Sequence, residues 1–212
     1  MSRNSQLTVS GLYAVTPDIL DTDELLCRVR LALLGGARVL QYRNKSADAD
    51  LKLRQAQALR TLTKEFDATY IVNDDAQLAV QVEADGVHLG GEDGSVAKAR
   101  ALLGKQMIIG ASCYNRPLLA QDAVKQGADY VAFGAFFASS VKPGAVKADV
   151  SLLQTVRREL SVPIVAIGGI TQLNGAALIS AGADALAVIS ALFDAPDIEV
   201  AAQEFSTLFS RT

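Results

Sequence analysis

Short β-rich runs alternating with helical segments predict an α/β fold, a single-domain (β/α)8 TIM barrel. Three observations carry that expectation. Eight β-rich runs recur from end to end, the segments between them repeat apolar residues at helical spacing, and small Gly/Ala/Asp turns lead into several of the runs. Eight units favour closure over an open sheet, and 212 residues sit at the short end for such a barrel, which forces short loops.

The expected strands are 12–16, 39–43, 69–73, 86–89, 107–112, 130–134, 164–168 and 185–190. Helical periodicity places Leu25, Val29 and Leu33 on one face of the first helix, and Leu51, Ala58, Leu59 and Leu62 on one face of the second. Leu152, Val156 and Leu160 mark the sixth helix, and Val200, Phe205 and Phe209 the last. The turns Ala84-Asp85-Gly86, Gly127-Ala128-Asp129 and Gly182-Ala183-Asp184 each precede a strand, with Gly35-Gly36-Ala37 in a similar part. Glycine there ends a helix at positive φ, so these bottom turns read as stability rather than chemistry. Residues 1–10 are polar and expected as a flexible leader, with the catalytic barrel at 11–212.

Composition narrows the function. Half the residues are hydrophobic, enough for a large core, yet no apolar run is long enough to span a bilayer. No signal peptide is visible, and Cys27 and Cys113 make no disulfide framework, so a cytoplasmic protein with two reduced thiols is expected. A net charge of −3 and a pI near 5.2 argue against nucleic acid. They allow an anionic small molecule held by a local cluster of cations. Homo-oligomerisation is left open.

The chemistry gathers at strand tips. Gln41, Arg43 and Lys45 alternate along the second strand and share one direction, while Tyr42 and Asn44 take the other. Three polar residues facing the helices would be buried without partners, so the mouth of the barrel is the better place for them. The third strand ends Asn73-Asp74-Asp75, and Glu92-Asp93 follows the fourth. Mg2+ needs only one or two carboxylates beside substrate phosphate oxygens, which makes Asp74 and Asp93 candidate ligands. Asp75 stands where it caps the next helix, and Glu92 fits an exposed neighbour. His88, the single histidine, lies within the fourth strand and reads as packed and hydrogen-bonded. Ser112 ends the fifth strand and suits donation to a phosphate or ring nitrogen. Without a G-x-S-x-G elbow it is no nucleophile. Residues 136–144 form a long loop with Ser139, Ser140 and Lys142, the composition of a lid over an anion. Gly168-Gly169 after the seventh strand and Ile189-Ser190 at the eighth stand where barrels often cradle phosphate.

In this order the motifs resemble the thiamine-phosphate synthase family over nearly the whole chain. They are Gln41-x-Arg43-x-Lys45, Val72-Asn73-Asp74, Gly86-Val87-His88-Leu89-Gly90-x-Glu92-Asp93, Gly110-x-Ser112, Lys142, Ile167-Gly168-Gly169-Ile170 and Ile189-Ser190. The resemblance implies a transferase that joins an aminopyrimidine diphosphate to a thiazole phosphate, giving thiamine phosphate and diphosphate. It implies Mg2+ on Asp74 and Asp93. It places Arg43, Lys45, Asn73 and Lys142 on the pyrimidine diphosphate, with Gln41 and Ser112 positioning that substrate and Tyr42 and Asn44 in the same binding segment. Ser139, Ser140, Val141, Gly169, Ile189 and Ser190 fall to the thiazole phosphate. Arg43, Lys45, Ser112 and Lys142 form the implied catalytic set.

Two departures stand out. The family's lid usually reads Pro-Thr-x-Thr-Lys, and here it is Ala138-Ser139-Ser140-Val141-Lys142, which lowers the expected affinity for thiazole phosphate. Gly91 stands where the family favours Gln. The rival readings are a thiazole tautomerase-like relative, which lacks the paired aspartates, and a non-catalytic phosphate-ligand binding barrel.

Overall fold

The computed structural model describes residues 9–90, 95–138 and 146–210. The first units are β1 (Gly11–Val15), α1 (Thr22–Leu34), β2 (Val39–Tyr42), α2 (Ala49–Glu65), β3 (Thr69–Asn73), α3 (Ala76–Gln81), β4 (Gly86–Leu89) and α4 (Val96–Leu103). The second half holds β5 (Ile108–Tyr114), α5 (Pro117–Lys125), β6 (Tyr130–Phe133), α6 (Val150–Glu159), β7 (Ile164–Ile167), α7 (Gly175–Ser180), β8 (Ala185–Val188), α8 (Ser190–Phe193) and α9 (Ile198–Ser210). Each strand pairs in parallel with the next, and β8 returns to β1, closing an eight-stranded barrel. Parallel pairing is available because every crossover carries a helix, and closure removes the sheet edges.

Strand parity divides the core. Leu12, Ala14, Leu40, Tyr42, Tyr70, Val72, Ile109 and Val131 face outward into the layer between barrel and helices. Tyr13, Val15, Val39, Ile71, Ile108, Tyr130, Val165 and Ala185 fill the interior. Val9, within the stretch expected as a leader, belongs to that interior and is only 3% exposed. Its parity with Gly11 and Tyr13 carries it into the bottom of the barrel.

Three expected helix faces differ from those observed; on α6 Leu153 joins Val156 in the core, and Leu152 is only partly covered. On α2 the buried set is Gln55, Ala56, Leu59, Leu62 and Thr63, while Leu51 and Ala58 are only partly covered. On α9 Ile198, Ala201, Ala202 and Phe205 face the core, and Val200 is 47% exposed. The observed spacing of 3, 1 and 3 follows one helical stripe, which Val200 does not join. Strand boundaries also shift. β8 stops at Val188, because Ile189 turns to ψ −86° and Ser190 opens the short α8.

The small turns repeat one device three times. Asp85, Asp129 and Asp184, ahead of β4, β6 and β8, donate a backbone N–H to Tyr70, Ile109 and Ile164 on the preceding strand. Each carboxylate accepts the N–H of that same residue, at 2.8, 2.7 and 2.7 Å. Each also pairs with an arginine from the helix before: Arg60 on α2, Arg100 on α4 and Arg157 on α6. A helix, a turn and a strand start are thereby tied at the bottom face, two units apart. At the equivalent point before β2 stands Arg38, and no such clamp forms. Gly36, Gly127 and Gly182 take positive φ at these turns, with Glu83 in that conformation in the remaining unit.

Candidate active site

At the top of the barrel the β1 and β2 loops brace each other. Thr16 Oγ1 donates to the Arg43 carbonyl at 2.8 Å, and the Arg43 N–H donates back to the same oxygen at 2.8 Å. Asp18 Oδ1 accepts from the Lys45 N–H at 2.9 Å and from Arg43 Nη1 at 3.1 Å. Arg43 is thus half-neutralised and aimed by a carboxylate from the neighbouring loop. A charge-assisted bond of this kind fixes direction as well as charge.

Tyr42 and Asn44, expected among the substrate-binding residues, have their polar side-chain groups engaged within the protein. The Tyr42 hydroxyl donates to Gln55 Oε1 at 3.0 Å. Asn44 Nδ2 donates to the Ile19 carbonyl and to Gln55 Oε1, while its Oδ1 accepts the N–H groups of Ser46 and Ala47. The Asn44 amide is spent on the loop and on Gln55, so the side chain braces the loop. The outward parity of both residues is the reason. Gln55, fully buried on α2, is the polar hub of this brace.

Asp74, at the tip of β3, has φ +62°. Aspartate tolerates the left-handed region better than most residues. Its N–H donates to the His88 carbonyl. One carboxylate oxygen accepts from Gly90 N–H at 3.1 Å and the other from Asn73 Nδ2 at 2.6 Å. Each oxygen keeps a further lone pair, so the carboxylate is oriented but not saturated. Asp75 caps α3, accepting the Leu78 N–H at 2.8 Å, as its place ahead of the helix predicts.

Arg43, Lys45, Asn73 and Asp74 line one cavity of about 320 Å3 at the β2 and β3 tips, where Tyr42 and Asn44 also form part of the wall, together with Lys52 from α2 and Gln77 from α3. Hard oxygen donors stand beside cations there, a donor set that suits Mg2+ shared with phosphate. Among the described residues no group of three potential metal ligands converges. Glu92 and Asp93, the neighbouring Gly91, and Ser139, Ser140, Val141 and Lys142 lie outside the described residues.

The interior below the mouth is polar on one side. Gln41 donates Nε2–H to the Tyr13 hydroxyl at 2.8 Å, Tyr13 and Tyr130 share a 2.8 Å bond, and Tyr130 meets His88 Nδ1 at 2.9 Å. His88 Nε2 meets Ser112 Oγ at 2.9 Å. His88 is packed and hydrogen-bonded, as its mid-strand place predicts. Burial pushes its pKa down to about 4, so the ring is neutral near pH 7. Burial raises both tyrosines, which stay protonated. Ser112 is partly exposed where the polar side reaches the mouth.

The opposite rim is small and apolar, with Ile167 and Ile189 packed on the interior cluster. Gly168 and Gly169 take φ +103° and +60°. A Cβ on Gly169 would lie 2.3 Å from the Ala138 carbonyl oxygen, so glycine admits the segment after β6 against the β7 tip. Phe137 N–H donates to the Gly168 carbonyl there, and Asn174 Nδ2 holds the Gly169 carbonyl from the other side.

Thr16, Asp18, Lys52, Tyr13 and Tyr130 went unnoticed in the sequence. Tyr13 shares inward parity with Gly11 and Val15, and Tyr130 stands opposite Gly110 in the register, where a Cβ would lie 2.0 Å from its Cζ. Parity alone could have found both tyrosines. Thr16-Pro17-Asp18 carries a turn signature directly after a strand.

The model of the family described as thiamine monophosphate synthase matches residues 12–192. A thiamine-phosphate synthase of Methylobacillus flagellatus is 54% identical over 210 residues, covering 99% of this chain and all of the relative. One from Thiobacillus denitrificans is 52% identical, covering 94% of this chain and 95% of its own. The solved thiamine phosphate pyrophosphorylase of Pyrococcus furiosus superposes with a TM-score of 0.87 at 34% identity, covering 97% of this chain and 98% of that one. Identity above half over nearly every residue, on a barrel that superposes throughout, makes this chain a transferase that belongs to the thiamine monophosphate synthase family.

Proposed function

We propose that the barrel, from about residue 11 onward, catalyses the Mg2+-dependent condensation of 4-amino-2-methyl-5-(diphosphooxymethyl)pyrimidine with 4-methyl-5-(2-phosphooxyethyl)thiazole. The products are thiamine phosphate and diphosphate. The observation that carries this reading is one cavity wall on which Arg43, Lys45 and Asn73 stand beside the oriented carboxylate of Asp74.

The chemistry asks for little besides charge. The carbon–oxygen bond to diphosphate breaks first, because the aminopyrimidine ring delocalises the positive charge left on its methylene. Arg43 and Lys45 neutralise the departing diphosphate, with Lys142 proposed to join them from the lid. Asp74 and Asp93 would hold Mg2+, which when bound supplies further positive charge to the diphosphate oxygens. Asn73 contacts the same group, and Gln41 and Ser112 fix the pyrimidine. The thiazole nitrogen then attacks the methylene carbon. It carries no proton, so no general base is required, and the mechanism asks no proton transfer of the neutral, buried His88. Gly169, Ile189 and Ser190, with Ser139, Ser140 and Val141, would hold the thiazole phosphate on the apolar rim.

Incubation of the purified protein with both substrates and Mg2+ tests the reaction. Equal amounts of thiamine phosphate and diphosphate are expected. No turnover at saturating substrates would contradict the reading, and turnover indifferent to chelator would contradict the metal. Asp93→Ala is expected to lower the rate far more than Glu92→Ala, and equal losses would move the ligand assignment.

A further inference from the structure

We propose that the barrel interior carries a one-way hydrogen-bond array, from Gln41 through Tyr13, Tyr130 and His88 to Ser112, that commits the Ser112 hydroxyl proton to the substrate in the mouth. Tyr13, Tyr130 and His88 then act as positioning residues: none need touch the reacting atoms.

The order follows from counting protons. Tyr13 and Tyr130 are at most 1% exposed, so each hydroxyl must find its partners within the protein. The Tyr13 oxygen receives the Gln41 Nε2–H, which leaves its own proton for Tyr130. Tyr130, accepting that proton, sends its own to His88 Nδ1. A neutral imidazole that accepts at Nδ1 carries its proton on Nε2, and that N–H donates to Ser112 Oγ. Ser112 has then received one proton and still holds its own. The open side of its hydroxyl is the mouth, where an aminopyrimidine ring nitrogen or a phosphate oxygen accepts.

Side-chain packing locks the array. Gly110 opposite Tyr130 clears the volume that ring occupies. The His88 ring stacks on Tyr130 at a centroid distance of 5.5 Å, and Tyr13 tilts against Tyr130 at 6.2 Å. The five residues come from β2, β1, β6, β4 and β5, so the array spans the barrel rather than one strand pair. Turning the Gln41 amide over would reverse every bond, put the His88 proton on Nδ1 and use up the Ser112 proton on Nε2. A serine so spent offers a ring nitrogen no donor.

The identity of the acceptor rests on the proposed reaction, but the proton order does not. Because His88 is the single histidine, 15N-imidazole NMR of the untagged free protein reads one ring. The expected spectrum is the Nε2–H tautomer with a hydrogen-bonded Nδ1. Tyr13→Phe leaves the Tyr130 proton in place and is expected to keep that tautomer. Tyr130→Phe removes the bond at Nδ1, shifts its resonance toward an unbonded acceptor, and raises KM for the pyrimidine diphosphate about tenfold, near one lost hydrogen bond. KM for the thiazole phosphate is expected to stay within about twofold, since one such bond on the pyrimidine side is all that changes. An Nδ1–H tautomer in the wild type, a switch to it in Tyr13→Phe, or equal changes in the two KM values would overturn the proposal. The spectrum stands or falls apart from the assay for thiamine phosphate.

Discussion

Asp74 shows how a single residue can take a conformation that a helix or strand interior would not permit. Its positive φ turns the β3 tip so that Asn73 and Gly90 each hold one carboxylate oxygen. Asp74→Gly keeps the backbone conformation and removes the carboxylate. The variant is expected to unfold within about 1 kcal/mol of the wild type, since relief of the left-handed conformation offsets the lost hydrogen bonds. Its turnover is expected to fall by about a hundredfold or more, the scale of losing a charge-stabilising group. Paired urea titration and rate measurements check both halves.

His88 gives a second prediction at this scale. Its pKa in the folded chain is near 4, below its ordinary 6.5, because burial disfavours the charged ring. The unfolded chain therefore binds a proton that the folded chain refuses between those values. Stability from this residue is fully present above about pH 6.5 and is lost as pH falls toward 4, by about 3 kcal/mol in all. The urea midpoint at pH 8 and at pH 5 measures this, with His88→Gln as the reference that lacks the slope.

Among the elements, the three bottom clamps carry the repeat. Asp85, Asp129 and Asp184 make the same backbone bonds, but Asp85 holds its arginine through both carboxylate oxygens where the other two use one, and the clamps differ in exposure. The Arg60 and Asp85 side chains are each 11% exposed, against 33% and 37% for Arg157 and Asp184. Removing one partner of a buried pair leaves the other charge stranded, whereas an exposed charge is taken up by water. Asp85→Ala is therefore expected to cost about 3 kcal/mol. Asp184→Ala is expected to cost about 1 kcal/mol, mostly its bond to the Ile164 N–H. Denaturant midpoints order the two variants, and equal losses would show that burial does not grade the clamps. Neither variant is expected to change KM, because the clamps lie at the face opposite the mouth.

For the molecule as a whole, the barrel was legible because each unit repeats a local pattern. β3 and β4 begin and end where the alternation of apolar residues places them, and Asp75 caps α3 as its position implies. What stayed hidden depends on contacts across the barrel. Nothing local marks Tyr13 and Tyr130 as partners 117 positions apart, nor Asp18 as the brace of Arg43. Tyr42 and Asn44 show the same limit from the other side. They share a motif with Arg43 and Lys45, yet parity turns them to Gln55, which only the packed α2 reveals.

The division of the mouth into a cationic, carboxylate-bearing rim at β2 and β3 and a small apolar rim at β7 and β8 supports the proposed use of two different substrates at once. The most direct measurement of that claim follows diphosphate and thiamine phosphate together in the presence of Mg2+, for the wild type and for Asp74→Asn. Equal release of the two products by the wild type, abolition by chelator, and a loss of about a hundredfold or more in the variant with its fold intact are expected. Diphosphate formed without thiamine phosphate, or a variant that turns over like the wild type, would contradict that claim.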